Sequence, residues 1–402
     1  MLSNSEIFST AEYTLIPIRT LDLCERERFL YHRKQLNLIQ DVISKRMNSW
    51  DVILYTFPFS TSPNEGSGVE RYAYQLVNSL PSSRIKINTI SKAKGSKIKQ
   101  YFSAFTEVPL KTLLSKTKIY HAVSPYSAAF LFLLHRDNRP IITSVHDVTY
   151  LELPLEARDY FSKRRASYNI NAIQRSDKII VPFQYTKRRI KEVFGVEDEK
   201  IVVIKYGIDL TSYFRKLDER SMDGELFDVL FLGGVNPLSR GSETVLKTYK
   251  ILKYRDPKLR LAISGTGTQM DTTISMANQL GLSKDILWLG FIPEAKLPEL
   301  IKKSRVFFYP TKMGFSLLMM QAMASSVPIV TSNVFDTPEF VGDAAINFGQ
   351  AEIDKYADAI FDLIKNEGQR LELIKKGNSV ISSYSPKTMA SEIASVYKEY
   401  LH

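Results

Sequence analysis

The sequence predicts an α/β protein of two doubly wound domains, each built on a parallel sheet with helices on its faces. Three observations support this class. The chain has 402 residues, which exceeds one ordinary core and suits two domains and an extension. From Asp51 onward, short apolar or β-branched runs alternate with amphipathic stretches, as strands alternate with crossover helices in parallel sheets. A polar stretch at residues 216–225 interrupts this alternation, and we predict it to be a linker.

Residues 51–215 make the first series, which we predict to be a Rossmann-like domain. Its clearest helices are Val69 to Leu80 and Tyr185 to Phe194, each lying between two apolar runs. The predicted strands are Asp51 to Phe57, Ile85 to Ile90, Lys118 to Ala122, Ile141 to Val145, Lys178 to Val181 and Ile201 to Ile204.

Residues 226–385 make the second series, which predicts a second Rossmann-like domain. A helix is expected after each of its first four strands. The predicted strands are Val229 to Leu232, Leu259 to Ser264, Ile286 to Leu289, Val306 to Tyr309 and Pro328 to Thr331.

Two segments lie outside these series. Residues 386–402 predict a last helix that starts at Pro386 with Ser385 as its N-cap, and we expect it to cross back onto the first domain. Residues 1–50 form an extension in which Leu21 to Met47 predicts a charged amphipathic helix. Packing against the first domain and contact with a partner or membrane are both compatible with that pattern.

The composition is that of an ordinary globular protein, with 44% apolar and 24% charged residues, which excludes wholesale disorder and a fibrous repeat. The single cysteine, Cys24, excludes an internal disulfide framework. It fits either a reducing compartment, which makes a cytoplasmic location the expectation, or a fold that is indifferent to redox conditions. No metal-ligand spacing is present. No apolar run approaches the ~20 residues that span a bilayer, and the N-terminus lacks a secretory signal.

The formal net charge of +11 is spread over both halves of the chain. Its densest patch runs from Arg84 to Lys99, with six basic residues and no acidic one. A solvated loop and peripheral docking on an anionic membrane both fit such a patch. Nucleic acid is not expected as a partner, because no reader motif accompanies the charge.

Ligands of doubly wound sheets bind beyond the carboxyl ends of the strands, so the loops there predict the site. The loop after the first strand reaches a helix start at Gly68. The loop after the first strand of the second series contains Gly234 and Arg240, and a guanidinium just before a helix can clamp a diphosphate. Taken alone, the first loop also fits a mobile surface loop, and the second also fits a solvated surface arginine. Neither a Walker loop nor a dinucleotide-binding glycine motif occurs in the chain.

The loop after the fourth strand of the second series contains Gly314 and opens a helix. We expect free amides at Phe315, Ser316 and Leu317 that point at an anion, as helix N-termini generally do. An ordinary strand-to-helix turn is the alternative interpretation of this loop alone.

Eight sequence motifs, taken together and in order, resemble the retaining glycosyltransferases of the two-domain GT-B type, family 4. The resemblance runs from about Asp51 to the end of the chain. The motifs are GSGVERY at Gly66, SVHD at Ser144, SDKIIVPFQYTKRRI at Ser176, KIVVIKYGID at Lys200, FLGGVNPLSRG at Phe231, ISGTGTQM at Ile263, LGFIPEAKLPELI at Leu289 and YPTKMGFSLLMMQAMASSVPIV at Tyr309.

The resemblance implies a central cleft between the two domains, in which the second domain mainly holds a nucleotide-sugar without a metal ion or cofactor. His146 matches the family's active-site histidine, although a core histidine at a strand end is the other interpretation. Arg240 matches a basic residue that contacts the diphosphate. The donor-binding positions that the resemblance implies are Gly68, Gly234, Gly265, Phe291, Ile292, Gly314, Phe315, Ser316, Leu317 and Gln321.

The chain departs from the family pattern at the donor site. The family carries two glutamates separated by seven residues, and Met313 and Gln321 stand at their positions. Lys312 and Lys205 are candidates to compensate for the lost charge. Further departures are Gly234 in place of a basic residue, Phe183 in place of serine, and Lys205 and Tyr206 in place of Pro-Asn.

These observations leave three hypotheses of function. The first is a retaining, metal-independent hexosyltransferase that acts on a glycan, lipid-linked or protein acceptor. The second is a catalytically silent relative that binds or regulates a partner, which the departures at Met313 and Gln321 suggest. The third is a hexosamine epimerase on the same fold.

Overall fold

The computed structural model describes residues 49–56, 68–80, 84–91, 103, 106–134, 138–148, 160–214, 227–234 and 239–401. The predicted linker, residues 1–48 of the predicted extension, and Lys92 to Lys99 of the basic patch lie outside the described residues, whereas Trp50 belongs to the first strand.

The first half forms a six-stranded parallel sheet in the order β2-β1-β3-β4-β5-β6, and all six predicted strands are confirmed. Ile53 of the first strand lies between Asn88 and Tyr120 of its neighbours. The strands are β1 (Trp50–Tyr55), β2 (Ile87–Ile90), β3 (Thr117–Ala122), β4 (Ile141–Ser144), β5 (Lys178–Val181) and β6 (Ile201–Val203). The helices are α1 (Gly68–Ser79), α2 (Glu107–Leu114), α3 (Pro125–Leu134), α4 (Tyr160–Arg175) and α5 (Gln184–Phe194).

The second half forms another six-stranded parallel sheet, in the order β12-β11-β10-β7-β8-β9. The strands are β7 (Phe227–Leu232), β8 (Leu261–Ser264), β9 (Ile286–Gly290), β10 (Ser304–Tyr309), β11 (Ile329–Ser332) and β12 (Ala345–Phe348). The helices are α6 (Ser242–Arg255), α7 (Thr268–Gln279), α8 (Leu297–Lys302), α9 (Leu317–Ala324), α10 (Thr337–Val341), α11 (Ile353–Lys365), α12 (Glu367–Ser382) and α13 (Pro386–Lys398).

The sequence predicted five of the strands in the second sheet and missed β12. This strand has only four residues, lies at the edge of the sheet and keeps three of its side chains only partly buried. Asn347 interrupts its apolar run, so the pattern that marks a buried strand is too short to recognise.

The order of each sheet reverses at one point, and these points determine which loops meet. The first sheet reverses between β1 and β3, and the second between β7 and β10. Loops that leave the carboxyl ends of strands on either side of such a reversal line a crevice. The loops that carry Arg240 and Gly314 follow β7 and β10, so the topology brings these two residues to one crevice.

The last helix, α13, contacts the first sheet. The Tyr397 hydroxyl is 2.5 Å from Nδ1 of His121, and Lys178 forms a 2.9 Å ion pair with Glu399. The Ser385 hydroxyl accepts from the Thr388 amide at 3.5 Å and caps the helix. Within the described part of the chain, no helix combines the length and apolarity needed to cross a bilayer.

Candidate functional site

A cavity of about 310 Å³ lies where the two sheets face each other. It brings together predicted site residues from loops that are distant in sequence. Those residues are Gly68, His146, Arg240, Phe315, Ser316 and Leu317, and the other lining residues are Val69, Asp147, Tyr206, Met313, Leu318 and Asp336.

His146 follows β4 and lines the cavity with both ring nitrogens engaged. Nε2 lies 2.7 Å from the Val123 carbonyl oxygen, to which it must donate. Nδ1 therefore accepts from the Tyr206 hydroxyl in the neutral ring. Burial lowers the pKa of His146 to about 4, against the opposing effect of the Val123 hydrogen bond. The ring is neutral near pH 7 and is held in one orientation.

Arg240 lies on the loop that leads into α6. Its guanidinium carbon is 6.0 Å from the centre of the buried Tyr309 ring, which supports it from β10. Among the described residues, no carboxylate forms an ion pair with Arg240. Its positive charge is therefore available to an anion in the cavity.

The start of α9 forms another wall of the cavity. Ser316 is the N-cap, and its hydroxyl accepts from the Leu318 amide at 3.4 Å. The expectation of a free amide at Phe315 is wrong, because this amide donates to Oδ1 of Asp336 at 2.7 Å. The Asp336 carboxyl lies close enough to the backbone to intercept it, since Gly314 has no side chain in between.

Asp336 is a site residue that sequence reasoning missed. Its side chain is only 4% exposed and lines the cavity. Burial raises the pKa of Asp336 to about 7, and the nearby Asp147 and Glu339 add to this rise while the Phe315 amide opposes it. No sequence signal marked Asp336, because it approaches Phe315 only through the packing of β11 against β10.

Comparisons with known proteins give a consistent result. The family model described as Glycosyltransferase Family 4 matches residues 66–212, and the model described as Glycosyl transferases group 1 matches residues 217–380. The chain is 25% identical over 297 residues to O-antigen chain mannosyltransferase B of Escherichia coli, which is 70% of this chain and 74% of the relative.

Two further proteins are similar to the chain. D-inositol 3-phosphate glycosyltransferase of Corynebacterium glutamicum is 22% identical over 244 residues, and the match covers 56% of this chain and 58% of that relative. The solved structure of Anabaena HepE in complex with UDP and glucose has a TM-score of 0.66 at 16% identity, with 87% of this chain and 100% of HepE covered. The chain belongs to the GT-B glycosyltransferases of group 1.

In this glycosyltransferase, Gln321 does not line the smaller cavity. It lines a larger one of about 690 Å³, together with Arg71 of α1, Tyr213 and Glu294. Gln321 Nε2 and the Tyr213 hydroxyl each donate to Glu294 Oε1 at 3.2 Å, and Arg71 forms an ion pair with the same carboxylate. The Gln321 side chain is 2% exposed, and its Oε1 has no partner among the described residues. Glu294 thus places a carboxylate beside Gln321, where the family pattern has a glutamate at position 321 itself.

The departures at Phe183 and Tyr206 have a common structural effect. The Tyr206 ring stacks on Phe315 at 5.7 Å between ring centres, while Phe183 and Phe340 meet Phe315 edge-on at 5.1 and 4.8 Å. These aromatic rings join loops from the two halves of the chain, and Tyr206 and Phe315 line the cavity. The departures therefore fit one another as a packed cluster.

The two lysines that were expected to compensate for lost charge face elsewhere. Lys312 Nζ lies 3.5 Å from the Glu243 carboxylate. Lys205 Nζ donates to the Ser383 hydroxyl at 3.2 Å and lies over the Tyr384 ring. Neither lysine lines the cavity, so this expectation is wrong. Lys312 pairs with Glu243 of α6, and Lys205 binds Ser383 at the end of α12.

Five other predicted donor-binding residues line neither cavity in the structure: Gly234, Gly265, Phe291, Ile292 and Gly314. The turns after β7 and β8 pack on each other, with the Thr266 amide donating to Gly234 O at 2.8 Å and the Gly265 amide donating to Gly290 O at 3.1 Å. Phe291 is 72% exposed and Ile292 is partly exposed beside it. The contact of Phe291, Ile292 and the Gly265 turn with the base stays a prediction.

Proposed function

We propose that the chain transfers a sugar from a nucleotide-sugar donor to an acceptor hydroxyl, with retention of anomeric configuration. The supporting observation is the pairing of Arg240 with the start of α9 on the walls of one cavity. A cation favours an anionic diphosphate, and so do the amides of Ser316 and Leu317, for which the described residues supply no acceptor. Residues of the first sheet, including His146, close the opposite side of the cavity and leave room for a sugar.

The supporting relatives handle related molecules. The solved HepE structure contains UDP and glucose, and the Escherichia coli relative is described as an O-antigen chain mannosyltransferase. We propose a hexose as the transferred sugar and a glycan or lipid-linked acceptor, with a protein acceptor as the alternative. Location in the cytoplasm, with peripheral contact at an anionic membrane through Arg84 to Lys99, belongs to the same proposal.

The reaction exchanges one bond to the anomeric carbon for another. The bond from this carbon to the diphosphate oxygen breaks, and both electrons leave with the nucleoside diphosphate. The acceptor oxygen forms the new bond on the same face of the sugar, and its proton passes to the departing phosphate oxygen. Arg240 and the α9 amides stabilise the charge that develops on the diphosphate.

We propose that this stabilisation requires no metal ion and no cofactor. Among the described residues, no three histidine, cysteine, aspartate or glutamate side chains are grouped so as to hold a metal. The test is a transfer assay in the presence and absence of a chelator. Equal rates are expected, and a rate restored only by added divalent metal would contradict the proposal.

In this proposal His146 is a positioning residue and transfers no proton. Its nitrogens hold Val123 and Tyr206, so the ring shapes the sugar side of the cavity rather than taking a proton. With its pKa lowered to about 4 by burial, the ring is neutral near pH 7.

The test of the proposed function is a binding and turnover screen over the common nucleotide-sugars. We expect calorimetry to detect one donor, and mass spectrometry to detect transfer by the purified chain alone. Absence of binding to every donor would contradict the proposal and favour a silent, regulatory protein. Epimerised nucleotide-sugar formed without acceptor would instead indicate an epimerase.

A further inference from the structure

The wall of the smaller cavity is mostly apolar or cationic where a sugar would rest. Val69, Leu317 and Leu318 present hydrocarbon, and Met313 offers only a thioether, which is a weak acceptor. A sugar carries several hydroxyl donors, and each one buried without an acceptor is costly. The cavity therefore needs a strong acceptor that is fixed in its wall.

Two carboxyl groups line this cavity, Asp147 and Asp336. Asp147 is exposed and faces solvent as well, whereas Asp336 is nine-tenths buried or more. A buried carboxylate forms stronger hydrogen bonds than an exposed one, because water competes less for it. Asp336 is thus the better placed of the two to select a ligand.

The local structure holds Asp336 toward the cavity. It stands at the N-cap of α10, where aspartate commonly accepts from the helix amides, but its side chain makes no capping hydrogen bond there. Oδ1 accepts instead from the Phe315 amide at 2.7 Å, which fixes the carboxyl in the cavity wall that Met313 and Arg240 also line. Asp336 therefore does not cap its own helix, and its carboxyl stays in the cavity wall.

We propose that the Asp336 carboxylate accepts a hydrogen bond from a hydroxyl of the donor sugar and so determines which sugar binds. The proposal rests on the proposed function, since it assumes that the ligand is a nucleotide-sugar. Different residues then bind the two parts of the donor: Arg240 and α9 bind the diphosphate, and Asp336 binds the sugar.

The test compares a nucleotide-sugar with its nucleoside diphosphate, using the donor that the screen identifies. Calorimetry is carried out at about pH 8.5, where Asp336 is ionised despite its raised pKa, on the full chain and on Asp336→Ala and Asp336→Asn. Asp343→Asn is the control for an exposed aspartate on the same segment. Asp336→Asn keeps an oxygen for the Phe315 amide, so it tests the lost charge in a chain that folds.

For both Asp336 variants we expect the nucleotide-sugar to bind about tenfold more weakly or worse, as for loss of a hydrogen bond to a charged group. The nucleoside diphosphate should bind as well as before or more tightly, since a nearby negative charge is removed. The control variant should match the unmodified chain for both ligands.

Three results would overturn the proposal while leaving the proposed function intact. In the first, both ligands bind the Asp336 variants more weakly by the same factor, which indicates a structural role. In the second, both bind more tightly by the same factor, which indicates that Asp336 only repels phosphate. In the third, neither affinity changes. If the unmodified chain binds neither ligand, the proposed function itself fails, and the role of Asp336 fails with it.

Discussion

At the scale of single residues, two neutral histidines form part of one buried network. His121 is 0% exposed, and its Nε2 lies 2.8 Å from the Ser144 hydroxyl, which lies 2.8 Å from the Tyr72 hydroxyl. The Tyr72 ring meets His146 edge-on at 4.9 Å. The network therefore connects α13, through Tyr397, to the cavity wall.

Stability should fall in mild acid partly because of this network. Burial, with a smaller effect from His146, lowers the pKa of His121 from 6.5 to about 3. Its contribution is complete above pH 6.5 and is lost as pH falls toward 3, since the unfolded chain binds the proton first. Between pH 6.5 and about 3, the free energy of unfolding of His121→Gln should fall less steeply than that of the unmodified chain, by about 1.4 kcal/mol per pH unit. Chemical denaturation at several pH values measures this, and equal slopes would contradict it.

Gly314 combines a left-handed backbone with a close contact. Its φ is +75°, and a Cβ there would lie 2.4 Å from Asp336 Oδ1. Gly281 has the same φ with nothing within 4 Å, so it is a matched control. Gly281→Ala should cost about 1–2 kcal/mol for the backbone alone. Gly314→Ala should cost clearly more, as measured by denaturation, because Asp336 must move. Equal losses of unfolding free energy in the two variants would show that Asp336 moves aside without cost and would contradict the prediction.

At the scale of elements, α5 is capped by a residue from the other half of the chain. Its N-cap residue, Phe183, has no capping side chain, and the Glu339 carboxylate accepts from the Gln184 and Tyr185 amides at 2.7 and 2.8 Å. The negative charge also complements the positive end of the helix dipole. This contact links α5 to α10 across the cleft.

Removing the charge of Glu339 should loosen this link. Glu339→Gln should lower the free energy of unfolding by about 1 kcal/mol, since one of two charge-assisted hydrogen bonds is lost. Glu367→Gln is the control, because Glu367 lies in the first turn of α12, which Asn366 already caps. The measurement is denaturation at pH 7, and equal effects in the two variants would mean that the cap across the cleft contributes nothing.

At the scale of the whole molecule, local patterns predicted the strands and the contacts between distant segments escaped prediction. Eleven strands followed from apolar runs, and the topology then placed Arg240, His146 and the start of α9 together. Asp336, Glu294 and Glu339 carry no local signal, because each acts on a residue distant in the chain. Replacement of the family glutamates at Met313 and Gln321 suggested a damaged site. The fold, however, brings the Glu294 carboxylate into contact with Gln321, and Asp336 lines the same cavity as Met313.

The most direct test of this account is transfer activity after removal of the Arg240 charge. Arg240→Gln is compared with Arg255→Gln, whose guanidinium pairs with Asp358 away from the cavity. If Arg240 stabilises the departing diphosphate, its loss should lower kcat/KM by about 10²-fold or more, with folding unchanged. Arg255→Gln should retain full activity. Equal activity of Arg240→Gln and the unmodified chain would contradict the placement of the donor in this cavity.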